Sequence, residues 1–152
     1  MSAELADDEL LITRTFDASP ELMFSLWSSA EHMRRWMGPE SFDCPAMEME
    51  FRVGGAYRGM IRSAKYGDTW FNGTYREIVP NKRLVFTFKW ETGPSGDVDT
   101  LITLTFKEVG GKTIQTFHQT PFISAERRDE HIKGWDGVFD KLARYAAAHA
   151  AG

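Results

Sequence analysis

A chain of 152 residues has the length of one domain and can bury a substantial core. Its 42% hydrophobic and 26% charged residues are ordinary for a globular protein, and a net charge of −4 argues against sequence-independent DNA binding, which needs a positive face. One cysteine, Cys44, excludes an internal disulfide; no apolar run reaches the roughly 18 residues of a membrane span; and the acidic start MSAELADDEL is unlike a signal peptide, so a cytoplasmic location is expected.

In chain order, residues 1–8 read as a flexible leader and 9–149 as a single domain. Glu9–Asp17 alternates as a first strand. Ser19-Pro20-Glu21 starts a short helix, with a capping serine and proline at the first helical position. A second short helix, Ala30–Trp36, stops at Gly38-Pro39. Strands then follow at Cys44–Phe51, after Gly54-Gly55, at Trp70–Val79 and after Pro80-Asn81. The clearest of them alternates Leu84, Phe86, Phe88 and Trp90 with Val85, Thr87 and Lys89. Beyond a loop at Thr92–Gly96, Leu101–Lys107 and Lys112–Gln119 flank a Gly110-Gly111 hairpin. The turns leave no room for crossover helices, so neighbouring strands should be antiparallel.

The last stretch, Ser124 to about Ala148, has helical period. Around Trp135 it gathers Arg128, His131, Ile132, Val138, Phe139, Leu142, Tyr145 and Ala146, while Glu126, Glu130, Lys133, Asp140, Lys141 and Arg144 form the opposite, charged side. Ser124 can cap its start. At about 1.5 Å per residue it would span roughly 35 Å, enough to cross a small sheet. Gly134 and Gly137 inside it each cost roughly 1 kcal/mol against alanine, which points either to close approach of another segment near Trp135 or to a mild bend that serves a cavity. The expected fold is α+β: a seven-stranded antiparallel sheet curled around this helix, with two short helices between strands one and two. A sheet that wraps a helix in this way tends to leave a cavity between them.

The stretches LWSSAEHMRRWMGP (Leu26–Pro39), VGGAYRG (Val53–Gly59), FNGTYREIVPNKRLVFTFKW (Phe71–Trp90) and HIKGWDGVFDKL (His131–Leu142) resemble the activator-of-heat-shock-protein-ATPase homologue family. The likeness runs from about Leu10 to Tyr145. It implies the helix-grip fold of the START-like, or SRPBCC, superfamily, with a hydrophobic pocket between sheet and long helix. The family's motifs are architectural and imply no catalytic constellation and no cofactor.

The residues expected to wall that pocket are Trp36, Tyr57, Phe86, Phe88, Trp135 and Phe139, all on inward phases. The same residues would serve equally as solid core, and the pattern does not separate the two readings. His118, in phase with Ile114 and Thr116, is expected to point at the helix; His131 lies one turn before Trp135. Each histidine either supplies polarity or a proton to a ligand or satisfies nearby backbone. Glu48 and Glu50 fall on a wet strand face, where Arg58 and Arg62 can pair with them. Cys44 reads as a small buried thiol, and four histidines with one cysteine show no metal-ligand spacing.

The leading expectation is a non-catalytic or regulatory protein that binds a small hydrophobic or aromatic molecule, admitted near Trp36-Met37-Gly38-Pro39, as a monomer or weak dimer. The alternatives are a cyclase- or hydrolase-like enzyme using His118 or His131 as base, and a co-chaperone-like module that stimulates a heat-shock ATPase. They differ in whether a histidine faces a pocket and whether an apolar patch lies outside it.

Overall fold

The computed structural model describes residues 6–92 and 98–151; residues 1–5 of the leader and 93–96 of the expected Thr92–Gly96 loop lie outside this range. Strand β1 (Leu10–Phe16) leads through α1 (Pro20–Trp27) and α2 (Ala30–Trp36) to β2 (Asp43–Met49), β3 (Ala56–Ser63), β4 (Gly67–Val79), β5 (Arg83–Trp90), β6 (Thr100–Val109) and β7 (Lys112–Thr120). Helix α3 (Ala125–Ala151) ends the chain. The strands form one antiparallel sheet in the order β1-β7-β6-β5-β4-β3-β2. The pair α1 and α2 carries the chain from one sheet edge to the other.

Local chemistry sets the boundaries. Ser19 Oγ accepts from Leu22 N at 3.2 Å, Ser29 Oγ from His32 N at 3.3 Å and Ser124 Oγ from Arg127 N at 3.2 Å, so each helix begins on a serine cap. Gly110 and Gly111 have φ of 58° and 81°, which suit the twist of the β6–β7 hairpin. Strand β4 begins at Gly67, three residues before the expected Trp70, because Gly67, Asp68 and Thr69 pair with Ser63, Arg62 and Ile61 of β3. Residues 6–8 of the predicted leader form a turn whose Asp8 carbonyl accepts from Phe122 N at 2.9 Å.

Helix α3 lies across the concave face and buries Trp135, Val138, Phe139, Leu142 and Ala146. Lys141, expected on the wet side, is instead half-buried. Its Nζ donates to Phe42 O at 2.9 Å, which ties the Met37–Phe42 segment to the helix. That segment passes the helix at its two glycines, at a distance that a Cβ would meet as ordinary contact. A Cβ on Gly137 would lie 3.5 Å from Pro39 Cα, and one on Gly134 would lie 4.0 Å from Pro39 Cγ.

The interior has two different halves, with Trp135 between them. On one side Trp27 of α1 is fully enclosed by Trp36, Phe86, Phe117 and Phe139, with ring centroids 4.7, 6.2, 6.4 and 6.3 Å away. Strand β7 accepts both central indoles: Trp27 Nε1–H donates to Gln115 Oε1 and Trp135 Nε1–H to Gln119 Oε1, each at 2.9 Å. Both glutamines are completely buried. On the other side of Trp135 the sheet and helix diverge, and the interior is hollow.

Candidate functional site

The hollow half is a chamber of about 510 Å³. Its inner wall is the buried aromatic set Phe71, Phe88 and Trp135, with Ile61, Met37 and Val138 completing the apolar surface. Phe71 and Phe88 stack at 5.2 Å on adjacent strands, and Phe88 meets the Trp135 ring edge-on at 5.7 Å. Tyr66, Asp68, Thr92 and Glu130 are its exposed lining residues and so form the mouth. Phe42 stacks on Tyr66 there at 6.0 Å. Two self-neutralising pairs frame the opening: Arg127 with Glu130 at 2.8 Å on the helix, and Asp68 with Arg62 at 2.6 Å on the sheet.

Trp90 and His131 close one end. Trp90 Nε1–H donates to His131 Nε2 at 2.9 Å, and His131 Nδ1 is 2.7 Å from Arg127 O. A carbonyl only accepts, so the proton sits on Nδ1 and the ring is neutral. Burial keeps its pKa below the usual histidine value. With both nitrogens occupied, His131 has no free lone pair to act as a base.

Of the residues expected at the site, Phe88, His131 and Trp135 line the chamber. Trp36, Tyr57, Phe86 and Phe139 lie in closed packing elsewhere. Trp36 and Phe139 are fully enclosed beside Trp27, and Phe86 packs between Trp27 and Tyr57. Tyr57 runs beneath Gly73, and its hydroxyl donates to Thr87 O at 2.5 Å. His118 points away from the helix, on the outer sheet face, where its Nε2 lies 3.5 Å from Glu9 Oε1. The reason is the polarity of β7. Its buried phase is Thr113, Gln115, Phe117 and Gln119, so apolar Ile114 marks the outer face and misdirects the phase.

Phe42, Ile61, Phe71 and Trp90 also line the chamber without having been singled out. Trp90 shares the alternation of Phe88, and Phe71 that of Tyr75, so both carried a signal; Phe42 lies in a loop without period. The arginines on the outer face choose partners other than Glu48 and Glu50: Arg58 binds Glu91 through two bonds of 2.8 Å, and Arg62 binds Asp68. Cys44 is buried, its Sγ donates to Ala46 O, and desolvation pushes its pKa up to about 11, which leaves an unreactive thiol. No group of three or more potential metal ligands occurs among the described residues.

A curled antiparallel sheet that holds a C-terminal helix across its concave face, with a chamber between them, is the helix-grip fold of START-like proteins. The sequence model for Activator of Hsp90 ATPase homolog 1-like protein matches residues 17–147, and the chain belongs to that family. Solved structures agree. A Chromobacterium violaceum protein is 24% identical with a TM-score of 0.81, covering 91% of this chain and 97% of its own. The AHSA1 protein of Silicibacter pomeroyi is 20% identical with a TM-score of 0.82, covering 93% and 99%. A Rhizobium loti protein is 25% identical with a TM-score of 0.70, covering 90% and 95%. No curated protein matches the chain.

Proposed function

We propose that this protein binds one small, uncharged, apolar or aromatic molecule in the chamber between β3–β5 and α3, without catalysing its conversion. The chamber itself carries this reading: about 510 Å³ lies within the range of small-molecule sites, and its inner wall is aromatic. Its chemistry narrows the ligand. Among the described residues no lining side chain has a buried polar atom without a partner, and the charges at the mouth neutralise each other. A buried ionic group on a ligand would therefore find no free counter-charge, and its desolvation would cost more than the contacts return. A neutral ring or chain would stack on Phe88 and Trp135 and keep any hydroxyl or carbonyl near Tyr66, Thr69 or Thr92.

The histidine-base alternative loses support from the occupied nitrogens of His131 and the outward position of His118. The chaperone-directed alternative rests on the family description alone. A cytoplasmic location is in keeping with the unpaired, buried Cys44.

The test is a thermal-shift screen of neutral aromatic and aliphatic compounds beside their carboxylate analogues. A ligand at about 100 times its Kd adds about 2.7 kcal/mol to the folded state and must raise Tm. Neutral members should raise it and their carboxylates should not. A Tm unmoved by every neutral compound would overturn the proposal.

A further inference from the structure

The end of the chamber closed by Trp90 and His131 is a partition. A second, much smaller cavity lies beyond it, sharing Phe88, Trp90 and His131 and otherwise lined by Val98, Thr100, Gln119 and Phe122 with Ile123. Trp90 packs edge-on against Phe71 and Phe88, with ring centroids 5.8 and 5.1 Å away, and one hydrogen bond of defined polarity joins it to His131. Nε2 of His131 can accept the indole proton only while it carries none itself, because Nδ1 already donates to Arg127 O.

We propose that Trp90 and His131 form a proton-operated latch on the chamber: protonation of His131 Nε2 sets two donors against each other and frees the Trp90 ring from the wall on which an apolar ligand packs. This rests on the ligand-binding reading of the chamber and adds its regulation. The surroundings of His131 favour a latch closed at neutral pH. On its own helix the charged neighbours are Arg127 and Glu130, paired to each other at 2.8 Å. From β5 it meets Trp90, and from the β7–α3 connection Phe122, whose ring centroid is 4.7 Å away. Gln119 of β7, across the small cavity, is committed to Trp135 and Thr100. Across the chamber, Asp68 is held by Arg62. The carboxylates named here, Glu130 and Asp68, are each paired with an arginine, and desolvation opposes a charge on the imidazole.

Two measurements on the full chain decide it. Binding of the neutral dye Nile red, followed by fluorescence, should weaken as pH falls below the ordinary histidine range, with a slope of at most about tenfold per pH unit for one linked proton. Over the same range the Trp90 indole N–H resonance should move with the His131 ring. His131→Gln keeps an oxygen that can accept from the indole but does not titrate, so its dye affinity should not change with pH. Trp90→Phe removes the donor, and its affinity should also lose the pH dependence. A wild-type pH profile in both variants, or an indole resonance unmoved while His131 titrates, overturns the latch. If Nile red binds at no pH, the ligand-site reading fails on its own, and the indole resonance still decides whether the latch exists.

Discussion

Trp135 of α3 and Gln119 of β7 join helix to sheet through one buried hydrogen bond, indole Nε1–H to amide oxygen at 2.9 Å. The same amide donates to Thr100 Oγ1 at 2.8 Å, and Thr100 in turn donates to Phe88 O. A helix and three strands are thus connected through two polar side chains in an otherwise apolar region. Gln119→Leu leaves the indole N–H unsatisfied in the interior and should cost about 1–3 kcal/mol in urea unfolding. Adding Trp135→Phe removes that orphan donor, so the double variant should be less destabilised than the sum of the two singles. Strict additivity would mean that the bond contributes nothing.

The glycines make opposite predictions according to what surrounds them. A Cβ on Gly137 would meet Pro39 at ordinary contact distance, so Gly137→Ala should gain helix propensity and raise stability by up to about 1 kcal/mol. A Cβ on Gly73 would overlap the Thr87 carbonyl and press on the Tyr57 ring, and backbone cannot give way. Gly73→Ala should therefore cost about 3 kcal/mol or more, at the upper end of overpacking. Thermal denaturation of the two variants should move in opposite directions.

This contrast also marks how far the amino-acid order could be read. The caps at Ser19 and Ser124, the paired hairpin glycines and the alternation from Leu84 to Trp90 are local signals, and the elements they imply are present. The inward phase of β7 was hidden because Gln115 and Gln119 are polar yet buried, a choice that makes sense only once two tryptophans arrive from α1 and α3 to use them. The division of the interior was equally hidden. Trp36, Tyr57, Phe86 and Phe139 are the same residue types as Phe71 and Phe88, and which set faces space depends on how far Trp27 reaches under the sheet. That is a matter of tertiary packing, to which periodicity is blind. Lys141 belongs to the charged side by period, but the loop at Met37–Phe42 comes to it.

On the outer face, Arg58 lies over the Trp70 ring at 3.9 Å and grips Glu91, which Asn72 also bonds at 3.0 Å. The Arg58 hydrogen bond, with that from Asn72, holds the Glu91 pKa at about 2 against an ordinary 4.5. A folded-state pKa below the unfolded one means that the contribution is fully present above about pH 4.5 and is lost as pH falls toward about 2. Wild type should lose more stability than Glu91→Gln between about pH 5 and about pH 3, as read from urea midpoints. Parallel losses would show that the cluster is too solvated to matter.

Lys141 is the tether of the chamber's Met37–Phe42 edge, with Arg144 adding a second bond to Glu40 at 2.6 Å. Lys141→Met keeps the aliphatic stem but leaves the Phe42 carbonyl without its donor, at a cost of about 1 kcal/mol. The distinguishing result is local: amide exchange should quicken at residues 37–42 while the β5–β7 amides keep their protection. A uniform acceleration would show that the lysine supports the whole fold and does not act on this edge.

Gly134 offers the sharpest separation of chamber from core. It lines the cavity, and a Cβ there would find only Pro39 Cγ within reach, at 4.0 Å. Gly134→Leu should therefore place its side chain in open space, fill part of the chamber beside Trp135, and gain up to about 1 kcal/mol of helix propensity. Substitutions that abolish binding by damaging a fold lower Tm; this one should hold or raise Tm while it excludes ligand. Nile red affinity is expected to fall at least about tenfold, the equivalent of about 1.4 kcal/mol of lost contact. If Gly134→Leu is stable and still binds the dye as wild type does, the dye sits elsewhere, and the space beside Trp135 is not the binding site.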